Sequence, residues 1–287
     1  MKQITIISGK GGTGKTVITA SFATLAKNKV MADCDVDAAD LHLLLHPEIK
    51  EVYEFKGEKR AVIDEKKCNG CGKCIEVCRF NAIEESTPIR INPLSCEGCG
   101  VCRYVCPLNA IEMKDNIAGK WYVSETRYGP MVHAQLNAAE ENSGKLVTVV
   151  RQKAKLIAEE KNINLIIIDG PPGIGCPVIS AITGVDAVLV VTEPTISGIH
   201  DMERVIGVSR HFGIKTFCCI NKYNINLENT QKIEEWCKEN GVSILGKIPF
   251  DMRVNQALVK ELPVIEYTTN GASIEIEKIW KGLVQNL

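Results

Sequence analysis

Three things are missing from this chain of 287 residues. It has no excess of either charge: 34 lysines and arginines stand against 35 aspartates and glutamates, a formal net charge of -1. A nucleic-acid-binding surface normally shows a strong basic excess, so none is expected. It has no apolar run near the roughly 20 residues that a membrane-spanning helix needs, so membrane association is not expected either. And Met1-Lys2-Gln3 runs straight into Ile4-Thr5-Ile6-Ile7 without an apolar leader, which points to a cytoplasmic location. What the chain has in quantity is cysteine, 13 in all. In a reducing compartment these read as metal ligands and core thiols rather than disulfides.

Eight of the cysteines form two runs, Cys68-x2-Cys71-x2-Cys74-x3-Cys78 and Cys96-x2-Cys99-x2-Cys102-x3-Cys106-Pro107. Each has the ligand spacing of bacterial [4Fe–4S] ferredoxins, in which three cysteines hold one cluster and the fourth reaches the other. That resemblance implies Cys68, Cys71, Cys74 and Cys106 around one cube, and Cys96, Cys99, Cys102 and Cys78 around the second. The first run has Arg79 where the second has Pro107. An internal repeat relates Lys67–Ala82 to Ser95–Ala110, each half ending in Asn-Ala-Ile.

The second motif is Gly9-Lys10-Gly11-Gly12-Thr13-Gly14-Lys15-Thr16, which satisfies the phosphate-binding pattern G-x4-G-K-[ST]. A β-branched strand precedes it and a helical segment, Val17 to Lys27, follows. Backbone N–H groups of Gly11, Gly12, Thr13 and Gly14 are expected to cradle phosphates, with the helix dipole behind them. Lys15 is expected to meet the β/γ-phosphates and the Thr16 hydroxyl to bind Mg²⁺. The additional Lys10 makes the loop resemble the deviant Walker A signature of the MinD/ParA/Mrp superfamily. Asp33-Cys34-Asp35, the strand Leu165–Ile168 running into Asp169-Gly170-Pro171-Pro172-Gly173, Asn221-Lys222 and Ile248-Pro249-Phe250-Asp251 carry the resemblance further.

The resemblance implies an ATPase in which Asp169 holds Mg²⁺ through a water and Asp35 positions the attacking water, with Asp33, Asp37 and Asp40 as neighbouring carboxylates. It also implies base or ribose contacts from Asn221, Pro249 and Asp251, and a dimer formed on ATP in which Lys10 reaches the partner's phosphates.

Near-continuous Val/Ile strands alternating with helical patterns predict a doubly wound α/β domain, its sheet mostly parallel. Polar boundaries at Gly57-Glu58-Lys59 and Lys114-Asp115-Asn116 divide the chain into 1–58 and 113–287, the ATPase, and 59–112, an inserted α+β ferredoxin-like domain. Cys34, Cys176, Cys218, Cys219 and Cys237 read as packed thiols. The terminal stripe Ile276, Ile279, Trp280, Leu283, Val284 and Leu287 reads as a helix docked on the sheet. Residues 141–145 read as a helix start capped by Asn142 or Ser143. Two functions stay open. One is ATP-controlled electron transfer with a redox partner, in a homodimer or a heterodimer with a related ATPase. The other is cluster assembly, carriage or positioning with a cluster acceptor.

Overall fold

The computed structural model describes residues 1–138, 140 and 143–287. Thirteen strands are described: β1 (Lys2–Ser8), β2 (Lys29–Asp33), β3 (Glu48–Lys56), β4 (Arg60–Ile63), β5 (Ile83–Glu84), β6 (Arg90–Ile91), β7 (Ile111–Lys114), β8 (Ile117–Thr126), β9 (Gly129–Leu136), β10 (Leu165–Pro172), β11 (Ala187–Thr192), β12 (Lys215–Asn221) and β13 (Ser243–Ile248). The helices are α1 (Lys15–Leu25), α2 (Leu41–Leu45), α3 (Lys73–Glu76), α4 (Val101–Val105), α5 (Ser143–Glu160), α6 (Cys176–Ile182), α7 (Ile196–His211), α8 (Leu227–Glu239), α9 (Met252–Val259), α10 (Val264–Tyr267) and α11 (Ala272–Gln285). Asn142, one of the two expected caps, lies outside the described residues.

Nine strands form one sheet in the order β13-β12-β11-β1-β10-β2-β9-β8-β3. The pairings from β13 to β9 are all parallel. The central strands are apolar and closed to solvent on both faces, as parallel strands between helical layers must be. On one face α1, α2, α9, α10 and α11 pack around Phe22, Leu41, Leu45, Ile276 and Leu283. The terminal helix does dock here: Ile279 is fully buried and the Trp280 ring lies 5.0 Å from Phe22. No helix among the described residues is long and apolar enough to cross a membrane.

The edge strand β3 and its neighbour β8 have no counterpart in the sequence pattern. Most of β3 is exposed and polar, so its pattern carries little hydrophobic signal. β8 and β9 are joined by only Arg127 and Tyr128, too short a link for a parallel crossover.

The chain divides into two compact units, the first comprising Met1–Val52, Trp121–Gln135 and Ser143–Leu287. The second comprises Tyr53–Lys120 with a short piece beginning at Leu136. The breaks thus fall at 52/53 and 120/121, within β3 and β8, whereas the polar residues place them at 58/59 and 112/113. Within the second unit β4 pairs with β7 and β5 with β6, both antiparallel. Its small core is built from Ala61, Cys74, Ile83, Ile89, Cys102 and Ile111.

The sequence repeat is also a conformational repeat. Gly72 and Gly100, the N-caps of α3 and α4, have φ of 74° and 75°, and Asn81 and Asn109 both have φ of 50°. The N–H of Ala82 donates to Cys78 Sγ and that of Ala110 to Cys106 Sγ, each at 3.3 Å.

Candidate functional site

Parallel register brings the carboxyl ends of three strands together. Asp169 on β10 sits beside Ile6 of β1 and Asp33 of β2, and the loop from β1 into α1 arches over them. Gly14 is the N-cap of α1 at φ 91° with no side-chain cap, which leaves first-turn N–H groups for an anion. A side chain at Gly14 would also collide with the Asn221 amide, so glycine is required there twice over. Thr13 is 1 % exposed, and its hydroxyl has no hydrogen-bond partner among the described residues. Such an orphan is uncommon in a packed interior and fits a position waiting for an acceptor.

Lys15 Nζ lies 3.1 Å from both Asp35 Oδ2 and Asp169 Oδ1. The Asp169 carboxylate also accepts from Thr16 Oγ1 and Thr19 Oγ1, each at 2.9 Å. Burial alone would lower the Lys15 pKa, but Asp169, Asp35 and Asp33 outweigh it and raise it. Asp33 is fully buried and accepts from the N–H groups of Asp35 and Leu41. Burial first, then the Asp169 charge, push it well above the usual carboxylate range. Asp35 is raised by burial. The expected pair Asp35 and Asp169 is therefore assembled around Lys15 and Thr16, with Asp33 beneath the turn that presents Asp35. Asp40 borders the cavity and Asp37 is exposed.

A cavity of about 1280 Å³, its open mouth included, is lined by Gly11, Gly12, Thr13, Gly14, Lys15 and Thr16 on one wall. Its far wall comes from Leu43, Leu44, Leu258 and Glu261. Pro249 and Asp251 do not line it. The Asp251 carboxylate caps α9 through Arg253 N at 3.0 Å, accepts from the Arg253 guanidinium at 2.8 Å and holds Ala272 N at 3.0 Å. These donors hold its pKa down, to about 2. Asn221 donates its side-chain amide to Thr13 O at 2.7 Å and so braces the loop.

The second unit contains two further cavities, of about 360 and 350 Å³ with their mouths included. The first is lined by Cys68, Cys71, Cys74 and Cys106, with Ile63, Ile89 and Ile111 among its apolar walls. The second is lined by Cys78, Cys96, Cys99 and Cys102, with Ala61, Ile83 and Ile91. Each cavity thus takes three cysteines from one run and the fourth from the other. Among the described residues no three His, Cys, Asp or Glu side chains converge tightly enough to ligate a single metal ion.

The family model for the CobQ/CobB/MinD/ParA nucleotide binding domain matches residues 4–264. The chain belongs to this family. An uncharacterized protein of Methanocaldococcus jannaschii is 35% identical to it over 98% of this chain and 96% of its own length. The iron-sulfur cluster carrier protein of Pyrococcus abyssi is 22% identical, over 99% of this chain and 86% of the relative. Among solved structures, MinD of Pyrococcus horikoshii, complexed with Mg-ADP, superposes with a TM-score of 0.58 at 17% identity. It covers 98% of this chain and 95% of that one, a likeness of fold.

Within this MinD/ParA-type frame, several residues were not foreseen. Glu193, at the end of β11, and Lys222 flank the outer lip of the loop, which becomes visible only once β11 is placed beside β1. Arg151 on α5 donates to the Ser180 and Thr183 carbonyls at the end of α6. Cys176 corrects an expectation: it begins α6 after Gly173-Ile174-Gly175 and is exposed, not a packed thiol. Cys34, Cys218, Cys219 and Cys237 are buried.

Proposed function

We propose that this chain is a P-loop ATPase with two resident [4Fe–4S] clusters, one nucleotide-bound state of which differs from the other in what the clusters can do. The observation that carries the reading is the division of eight cysteines into two sets of four, each around its own apolar-walled space. The spacing C-x2-C-x2-C-x3-C in each run, with the fourth cysteine of each set coming from the other run, is that of cubane ligation in bacterial ferredoxins. Cys68, Cys71, Cys74 and Cys106 would hold one cluster, and Cys78, Cys96, Cys99 and Cys102 the other. Bound there, the clusters would supply one-electron carriage, and the N–H groups of Ala82 and Ala110 on Cys78 and Cys106 would tune it.

At the P-loop, ATP is the substrate that the family membership and the orphan Thr13 hydroxyl support. Mg²⁺ usually keeps several waters and takes one or two protein ligands plus phosphates. Thr16 would hold it directly and Asp169 through water, neutralising charge on the phosphates. Lys15 would exchange its two carboxylate partners for β/γ-phosphate oxygens. Asp35, freed from Lys15, would orient the attacking water, and Lys10 of a second copy or related chain would complete the site in trans.

Two uses of the clusters remain distinct. The complete ligand sets, with Cys74 and Cys102 buried in the core, favour permanent clusters and electron transfer to a redox partner. The similarity to a protein named as an iron-sulfur cluster carrier favours ATP-controlled delivery to an acceptor, and the comparisons lean that way. Incubating the anaerobically prepared protein with ATP and an apo-acceptor separates them. Iron lost to the acceptor supports delivery; retained clusters support electron transfer; a preparation that binds neither iron nor ATP refutes both.

A further inference from the structure

Lys10 is not free to act in trans in this conformation. Its ammonium lies 2.6 Å from Glu193 Oε1 and donates to Thr195 Oγ1 and Ser197 Oγ, each at 3.1 Å. All three of its donor positions are thereby used within its own chain. The other oxygen of the same carboxylate, Glu193 Oε2, holds Lys222 Nζ at 3.2 Å, and Lys222 also donates to Gly12 O at 3.3 Å. Lys222 follows Asn221, whose amide holds Thr13 O. One carboxylate therefore ties Lys10, Lys222 and the loop lip into a single network. Lys10 and Lys222 together hold the Glu193 carboxyl below its ordinary range despite the opposing effect of burial.

We propose that Glu193 is a positioning residue for the ATPase step: it keeps Lys10 on its own subunit and so sets how readily two copies close around ATP. The inference rests on the nucleotide-dependent dimer proposed above and adds the residue that restrains it. For Lys10 to reach a phosphate on the partner, it must leave an ion pair at 2.6 Å and two hydroxyl acceptors. Both the ion pair and the hydroxyl acceptors oppose closure; in Glu193→Gln the ion pair is lost, while Thr195 Oγ1 and Ser197 Oγ remain as acceptors. Lys222 keeps its bond to Gly12 O in that variant, so the loop retains part of its brace.

The test compares wild type, Glu193→Gln, Glu193→Asp, Lys10→Met and the double variant Glu193→Gln/Lys10→Met. Each is titrated with a non-hydrolysable ATP analogue and followed by sedimentation velocity, and monomer affinity for ADP is measured separately. Glu193→Gln is expected to dimerise at roughly tenfold lower protein concentration, within the 5–150-fold span of ordinary coupling. Its ADP affinity should change far less, and Glu193→Asp should behave much like wild type. In the Lys10→Met background the Glu193→Gln shift should disappear. An unchanged or weakened dimer in Glu193→Gln, or a shift that persists without Lys10, overturns the inference. Failure of the function proposed above looks different: the wild type then binds no nucleotide, or binds it and stays monomeric, and the inference falls with it.

Discussion

His133 on β9 makes stability depend on pH in a way that one substitution should remove. Its ring is 7 % exposed, stacks on Tyr122 with centroids 4.9 Å apart and on His42 at 6.4 Å, and shares a hydrogen bond with Ser124 Oγ at 3.0 Å. Burial first, and then the His42 charge, lower its pKa from 6.5 to about 4. The folded state therefore prefers the neutral ring, while the unfolded chain takes up a proton as pH falls below 6.5. The stabilising contribution is complete above that value and is lost as pH falls toward 4. At pH 5 the unfolded form has gained about 1.5 pK units of protonation free energy, or about 2 kcal/mol. The residue sits in register with Asp33, so the loss is felt at the strand that ends in Asp33. Urea unfolding at pH 7 and pH 5, followed by tryptophan fluorescence, measures it, since Trp121, Trp236 and Trp280 all lie in the first unit. The raised carboxyls of Asp33 and Asp35 titrate with the opposite sign but cancel when wild type is compared with His133→Gln. Wild type should lose about 2 kcal/mol more than the variant between the two pH values. Equal losses would show that the ring is not held neutral by its surroundings.

Three further outcomes follow from the two sites. Lys10→Ala should leave nucleotide binding by the monomer within a few-fold of wild type while removing ATP-dependent dimerisation and hydrolysis; a normal dimer in ultracentrifugation would refute its action in trans. Cys106→Ser should cost roughly half the iron, from the set holding Cys68, Cys71 and Cys74, despite the distance in sequence; full retention of iron contradicts the crossed assignment. ATP and ADP should shift the cluster potentials relative to one another by about 40–130 mV, the equivalent of 1–3 kcal/mol of coupling for one electron. Potentiometric titration read by electron paramagnetic resonance tests this, and identical potentials favour delivery over electron transfer.

What was readable in advance depended on local spacing. The phosphate loop is a contiguous motif, and β1, β12 and α11 fall within a residue or so of where their apolar patterns put them. The cysteine runs carry their grouping in their own intervals, and the same grouping lines the two cavities. Features that depend on tertiary register were not readable. Glu193 meets Lys10 only because β11 lies beside β1, 183 residues away in the chain by number, and nothing in Thr192-Glu193-Pro194 announces it. Asp251 looks like a ligand contact in sequence, yet its carboxylate is spent on Arg253 and the start of α11. Cys176 reads as a core thiol because residues 113–145 offer no second cysteine to share a site with it, but the helix begins with that residue exposed to solvent.

The central claim, two polynuclear clusters resident in a MinD/ParA-type ATPase, is tested most directly by metal and acid-labile sulfide analysis of the anaerobically purified protein. The account predicts about eight iron and eight sulfide per chain with the spectroscopic signature of [4Fe–4S] centres. Zinc in place of iron, or iron for one cluster alone, would contradict it.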